Sequence, residues 1–264
     1  MRIARFGGSA RRNPPYVLTL ALVAITLVSV PDEIAIGRQA DAQVRMKVRE
    51  LHDVAVRGYV TSVGKRLAAV APGPRYPYSF TVADSRDVNA FSLPGGPVWI
   101  NRGTLAAATN ESQVAGVLAH EIAHVAQRHA ADQLTKIIVA RWGIGLLGAF
   151  LGNTGGAGAA QSAAGLLANG AFLKFSRDDE READRVGVDI MSRAGWDARG
   201  MVEMLEILRR QAREDPGAVQ VFFSTHPSPQ ERIAELAALA ARHHGGRRDS
   251  ASFQSVRARL RHNH

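Results

Sequence analysis

The stretch VLAHEIAHVAQRH, residues 117–129, places three histidines and a glutamate in an apolar, alanine-rich context. Just upstream, ATNESQVAGVL starts a helix, with Asn110 as its capping residue and Gln113 three positions on completing a capping box. The helix is expected to continue past His129. Along it His120 and His124 stand four apart, about 40° around the axis, so both imidazoles leave one face and can grip one ion. Glu121 between them completes an HExxH arrangement, in which two histidines hold zinc and the glutamate takes a proton from the water that the ion activates. Val117, Leu118, Ile122, Ala123, Val125 and Ala126 make the helix apolar around most of its girth, so charged groups there are buried and need partners. His129 lies five residues beyond His124, about 140° round an unbroken helix, and belongs at the surface or behind a ligand rather than on the ion.

A catalytic zinc takes three protein ligands and keeps one position open. The third is expected in SRDDEREADRVG, residues 176–187, where Asp178, Asp179, Glu180, Glu182 and Asp184 crowd together. Glu180 and Asp184 are four apart and share a helix face. Glu180 can therefore ligate while Asp184 accepts a hydrogen bond from a ligating histidine and fixes its tautomer. Glu182 points away from that face, toward solvent or a basic neighbour. Acids also favour a helix N-terminus on electrostatic grounds alone, but in a chain that already holds HExxH the ligand reading is the stronger.

Composition narrows the chemistry further. The chain has no cysteine, which excludes disulfides, thiolate zinc sites and cysteine nucleophiles, so any metal is held by nitrogen and oxygen. With 46% hydrophobic and 22% charged residues in 264, it reads as a globular chain of one sizeable domain or two small ones. The net charge of +9 gathers at the ends: Arg2, Arg5, Arg11 and Arg12 at the start, five arginines against Asp249 in residues 245–264. That distribution suits an anchor and a basic tail and argues against a nucleic-acid partner, which would want a basic stripe on a folded face. Residues 1–31 have the layout of a signal peptide or signal anchor. Their uncharged run YVLTLALVAITLVSV (16–30) falls short of the roughly 20 residues that a spanning helix needs. An exported, periplasmic protein follows, tethered to the inner membrane if the segment is not cleaved.

From about Glu33 to Ala71 the apolar spacing is helical, and APGPRYPY stops it. The pieces SFTV, NAFSL and PVWIN, separated by turn residues, then predict a small sheet. Residues 137–175 hold two glycine- and alanine-rich runs, read as a helical hairpin over the site that touches a membrane surface at most.

Four motifs in order, NAFSLPGG, HEIAH, EREAD and STHPSPQER, resemble the zinc metallopeptidases related to the CaaX prenyl protease and to the HtpX, OMA-type and BepA-type proteases. DEIAIGRQADAQV is similar to the opening of the BepA-like branch, and the resemblance runs from about residue 32 to 243. It implies an α+β, mostly helical, zincin-like (gluzincin) peptidase domain over 32–244, with a small β-sheet beside the HExxH helix and one Zn2+ per chain. By position it puts zinc on His120, His124 and Glu180, Glu121 as general base and Asp184 behind the ligands. His226 becomes an oxyanion stabiliser or a regulatory fourth ligand, Arg232 lies near the same site, and Asn89 and Ala90 line the substrate cleft.

The expected activity is a zinc metalloendopeptidase acting on extended or unfolded polypeptides of the envelope, held backbone to backbone along a strand of the sheet, in protein quality control. The alternative is a zinc-bearing chaperone or adaptor latched by His226, with rare and regulated proteolysis. The BepA-type repeat domain is not expected, because residues 245–264 are too few for one repeat of roughly 34 residues.

Overall fold

The computed structural model describes residues 28–137, 174–227, 229–243 and 245–262. Helices α1 (Val30–Lys47) and α2 (Val54–Ala68) precede strands β1 (Ser79–Ala83), β2 (Ala90–Ser92) and β3 (Pro97–Asn101). The short α3 (Arg102–Ala107) and α4 (Glu111–Ala126) follow. The later elements are α5 (Arg177–Arg193), α6 (Arg199–Glu214), the short α7 (Gln220–Thr225), α8 (Pro229–Ala240) and α9 (Ala251–His262). The fold is therefore α+β and mostly helical, with one small sheet.

Every residue of α4 is buried. The helix packs most extensively on α5 and α6, with α2 and β2 on its other sides. Close approach to α6 depends on glycine: a Cβ on Gly116 would come within 2.8 Å of the Met201 backbone, and one on Gly200 within 2.4 Å of the Ser112 backbone. Asn110 caps α4 as expected, accepting from Gln113 N at 3.2 Å. The Gln113 side chain instead accepts from Thr109 N at 2.7 Å, so the reciprocal half of the capping box is absent.

The sheet has the order β1-β3-β2, with β1 parallel and β2 antiparallel to the central β3. The PGG turn between β2 and β3 needs its glycines, since Gly95 and Gly96 have φ of +73° and +126°. Asn101 N donates to Asn89 O and Leu93 N to Pro97 O, so both bonds run between β2's flanks and the β3 side. Alternation along the strand then turns the backbone groups of Ala90 and Ser92 to the outer edge.

Several expectations change. The single helix over 33–71 is two, because residues 48–53 leave helical conformation to bond along β1: Leu51 N to Val82 O and Asp84 N to Arg49 O, each 2.8 Å. Asp53 restarts the helix by accepting from Ala55 N and Val56 N. The HExxH helix does not run on past His129. It ends at Ala126, turns at Gln127 and Arg128, and a new helical stretch occupies 129–137. At the other end, the first helix starts inside the segment assigned to the leader: Val28 is buried, and Ser29 caps α1 through a capping box with Asp32. The leader otherwise lies outside the described residues, as does the 137–175 hairpin apart from its ends. Among the described residues no helix is long and apolar enough to cross a membrane.

Residues 245–262, expected as part of a basic tail, pack against the rest of the domain. Arg247 pairs with buried Glu111 at 2.8 Å, and Ser250 Oγ donates to Glu111 at 2.7 Å, where Trp196 Nε1 also donates at 3.0 Å. Helix α9 then buries Phe253, Val256 and Leu260 in the main core, with the Phe253 ring 6.1 Å from Tyr59. Emptying a fully buried phenylalanine site costs about 3–5 kcal/mol. Phe253→Ala should therefore lower the urea midpoint of unfolding by a corresponding amount, whereas a solvated tail would leave the midpoint unchanged.

Candidate metal centre

Three helices and one loop deliver the polar side chains. Helix α4 presents His120, Glu121 and His124, which are 5%, 0% and 1% exposed. Helix α5 starts at Ser176, whose side chain forms a capping box with Asp179, and turns its next acids, Glu180 and Asp184, into the core. Glu182 stays half-exposed. His226 caps the end of α7, its ring stacked on Phe222 at 4.9 Å. Arg232 reaches in from α8 and is buried.

The ring nitrogens His120 Nε2 and His124 Nε2 are 3.1 Å apart. Glu180 faces both, with Oε2 3.5 Å from His120 Nε2 and Oε1 3.4 Å from His124 Nε2. His226 Nδ1 lies 2.8 Å from Glu180 Oε1, and its Nε2 is 3.6 Å from Glu121 Oε1. One donor atom from each of His120, His124, Glu180 and His226 falls within 4.8 Å of all the others, and all four residues are buried.

Around this cluster, Arg232 makes a two-pronged bond to Asp184 (2.8 and 2.7 Å) and a third to Glu180. Asp184 Oδ1 lies 3.1 Å from His120 Nδ1, close enough for its charge to act, though off the line of a good hydrogen bond. Glu121 accepts from Ser92 Oγ at 3.0 Å through Oε2, while its buried Oε1 has no hydrogen-bond partner.

Charges respond accordingly. Burial opposes ionisation of Glu180, but the His226, His120 and His124 rings override it and hold the carboxyl well below its ordinary range. Burial likewise opposes charge on Asp184, and Arg232 overrides it. Burial keeps His124 neutral, well below its ordinary value. On His120, Asp184 and Glu180 outweigh burial and push the imidazole up to about 9.

These residues fit a divalent cation. Three buried carboxylates, Glu121, Glu180 and Asp184, face one buried guanidinium, Arg232, leaving an excess of two negative charges before the histidines are counted. The donor set of imidazole and carboxylate without thiolate suits zinc in a non-cysteine site. Glu121 Oε1, without a hydrogen-bond partner and beside the cluster, is placed as a general base requires.

Every residue singled out for the metal and its base in the sequence comes into this cluster. Ala90 is the first residue of β2, which packs on α4, and Asn89 directly precedes it. Ser92 escaped notice, although its place in NAFSLPGG was in view. Phe175, stacked on His124 at 3.9 Å, carries no sequence signal, whereas His129 lies behind His124, one of the two places that the sequence allows it.

The model of "Peptidase family M48" matches residues 55–240. The "Beta-barrel assembly-enhancing protease" of Yersinia pestis is 32% identical over 216 residues, 79% of this chain and 44% of that protein. "Mitochondrial metalloendopeptidase OMA1" of Schizosaccharomyces pombe is 36% identical over 179 residues, 67% of this chain and 51% of its own length. "Metalloprotease YcaL" of Escherichia coli is 33% identical over 182 residues, 66% of this chain and 68% of that protein. The chain spans less than half the length of the first of these. With the family model covering more than half of its residues, the chain belongs to peptidase family M48.

Proposed function

We propose that this protein is a zinc-dependent metalloendopeptidase, with zinc held by His120, His124 and Glu180 and with Glu121 as its general base. The observation that carries the proposal is the meeting of four buried donor atoms within 4.8 Å of one another, with the free oxygen of Glu121 alongside. Zinc bound there supplies Lewis-acid polarisation of the scissile carbonyl and lowers the pKa of a water to about 7. Glu121 is placed to take a proton from the attacking water on Oε1 and to hand it to the leaving amine, while Ser92 fixes Oε2 and so the angle of the carboxylate. Arg232 pins Asp184 and Glu180 together, which holds the third ligand and the carboxylate behind His120 in place.

Substrate is held as an extended strand. Edge strand β2 turns the backbone groups of Ala90 and Ser92 outward, and a peptide pairing there runs past Glu121 without any sequence being demanded of it. Asn89 contributes differently, since its backbone N and O are taken by Thr104 Oγ1 and Asn101 N while its side-chain Oδ1 is unpartnered. The leader composition and the β-barrel-assembly relatives support a periplasmic protein that degrades misassembled envelope proteins, tethered to the inner membrane if its leader is retained.

His226 supports a second reading. Its ring sits inside the donor cluster, which suits a fourth ligand that closes the site and makes cleavage rare and regulated. The other role for His226, with Arg232 nearby, is to stabilise the oxyanion.

Glu121→Gln should reduce cleavage of an unfolded casein-type substrate by at least about 10²-fold while leaving zinc stoichiometry unchanged in atomic absorption. Persistent cleavage by that variant would sink the mechanism. His226→Ala separates the two roles of that residue: as a latch its loss raises basal cleavage, and a fall in kcat at constant zinc content would identify the oxyanion role instead. Removal of zinc by a chelator should abolish cleavage, and re-addition should restore it.

A further inference from the structure

We infer that His129 is a positioning residue for His124: it accepts the Nδ1 proton of that ring and so commits the Nε2 lone pair to the metal. The inference rests on the zinc reading above and adds to it a residue that an unbroken helix would carry out of reach.

The break after Ala126 makes the contact possible. Arg128 has φ +63°, the one positive φ on a non-glycine residue among those described. Such a conformation is uncommon for an L residue and persists where the surroundings hold it. Here Arg128 Nε donates to Glu33 Oε1 and its Nη2 donates to Val28 O. Glu33 is itself buried in α1 and accepts from Tyr76 Oη at 2.6 Å. The left-handed residue resets the helix phase, and the next helical stretch, with Asp132 N donating to Arg128 O, starts with His129 turned back to the HExxH face.

His129 is 2% exposed, and its Nδ1 lies 2.8 Å from His124 Nδ1. One of the two must donate. His124 Nε2 faces His120 Nε2 at 3.1 Å and Glu180 Oε1 at 3.4 Å, so Nε2 is the atom turned to the cluster. A neutral imidazole carries one proton, which then sits on Nδ1 and is donated to His129. His129 in turn carries its proton on Nε2, directed at Glu182 Oε2 3.4 Å away. Phe175 covers the face of the His124 ring and tilts against His129, closing the pair from the side.

The two histidine ligands are thus backed by different groups: His120 by the nearby charge of a carboxylate clamped to Arg232, His124 by a neutral ring that leads to a half-exposed carboxylate. Glu182, which the sequence turns away from the site, ends this chain of contacts.

The test is zinc affinity of the full-length protein, measured by competition with a chromophoric chelator, for wild type, His129→Leu, His129→Asn and His124→Leu. Partners behind metal ligands are worth roughly 10–100-fold in affinity. His129→Leu, which removes the acceptor, should weaken binding by that factor. His129→Asn, which keeps an acceptor near the Nδ1 position, should stay within a few-fold of wild type. His124→Leu should lose the site. If His124→Leu binds zinc as wild type does, the zinc reading itself fails. If His124→Leu loses zinc while His129→Leu binds as wild type does, the metal site stands and the inference about His129 is overturned. Equal weakening by Leu and Asn also overturns it, since that result indicates space-filling. Should His129→Leu not fold by circular dichroism, His129→Ala takes its place with the same readings.

Discussion

The interior of α4 imposes one constraint on everything else: a helix buried on all sides carries two imidazoles and a carboxylate, and none of them can rely on water. An unpaired charge in such a place costs several kcal/mol, a large share of a folded domain's net stability of about 5–15 kcal/mol. The rest of the site reads as the set of partners that meets this demand. Glu180 and Asp184 arrive from α5 and Arg232 from α8, while Ser92 reaches in from β2. Each is buried or nearly so, and each would be a liability without the others. Two negative charges remain after Arg232 is counted against the three carboxylates, and a divalent cation has the sign and size of charge to balance them.

The same constraint explains why the architecture is tight around α4. Gly116 and Gly200 let α6 approach it closely, as their Cβ positions would collide with Met201 and Ser112. The edge strand β2 packs directly on α4, which brings the backbone proposed to pair with substrate and the proposed general base, Glu121, onto adjoining elements. The C-terminal residues reinforce the far end of α4, where Arg247 and Ser250 both bond Glu111 in its first turn. A site on rigid, buried elements keeps its donors close to working geometry, and here every metal donor but His226 lies on a long helix.

Much of this was legible in the sequence because it is local or periodic. HExxH brings two candidate donors and a candidate base together by helical spacing, and the Glu180–Asp184 interval puts the proposed third donor and its neighbour on one helix face. The three strand fragments were readable from β-prone residues set between turn residues. What stayed hidden depends on contacts far apart in the chain. Nothing around Arg128 announces a left-handed residue, because its anchor is Glu33, almost a hundred positions earlier, and without that break His129 is placed on the wrong side of the helix. The α1–α2 break follows from pairing with β1, a tertiary bond that local propensity does not encode. The basic C-terminal stretch looks like a tail because its arginines dominate the composition, while Phe253, Val256 and Leu260, spaced three and four apart, are the core-facing stripe that such a reading passes over.

The most direct measurement is the coordination sphere of zinc in the loaded full-length protein, from anomalous diffraction at the zinc edge. The account predicts a single zinc bound by His120, His124 and Glu180, with His226 at the fourth position in the closed state or displaced from it in an open one. Zinc ligated through Glu182 in place of Glu180, or bound away from the HExxH helix, would contradict it.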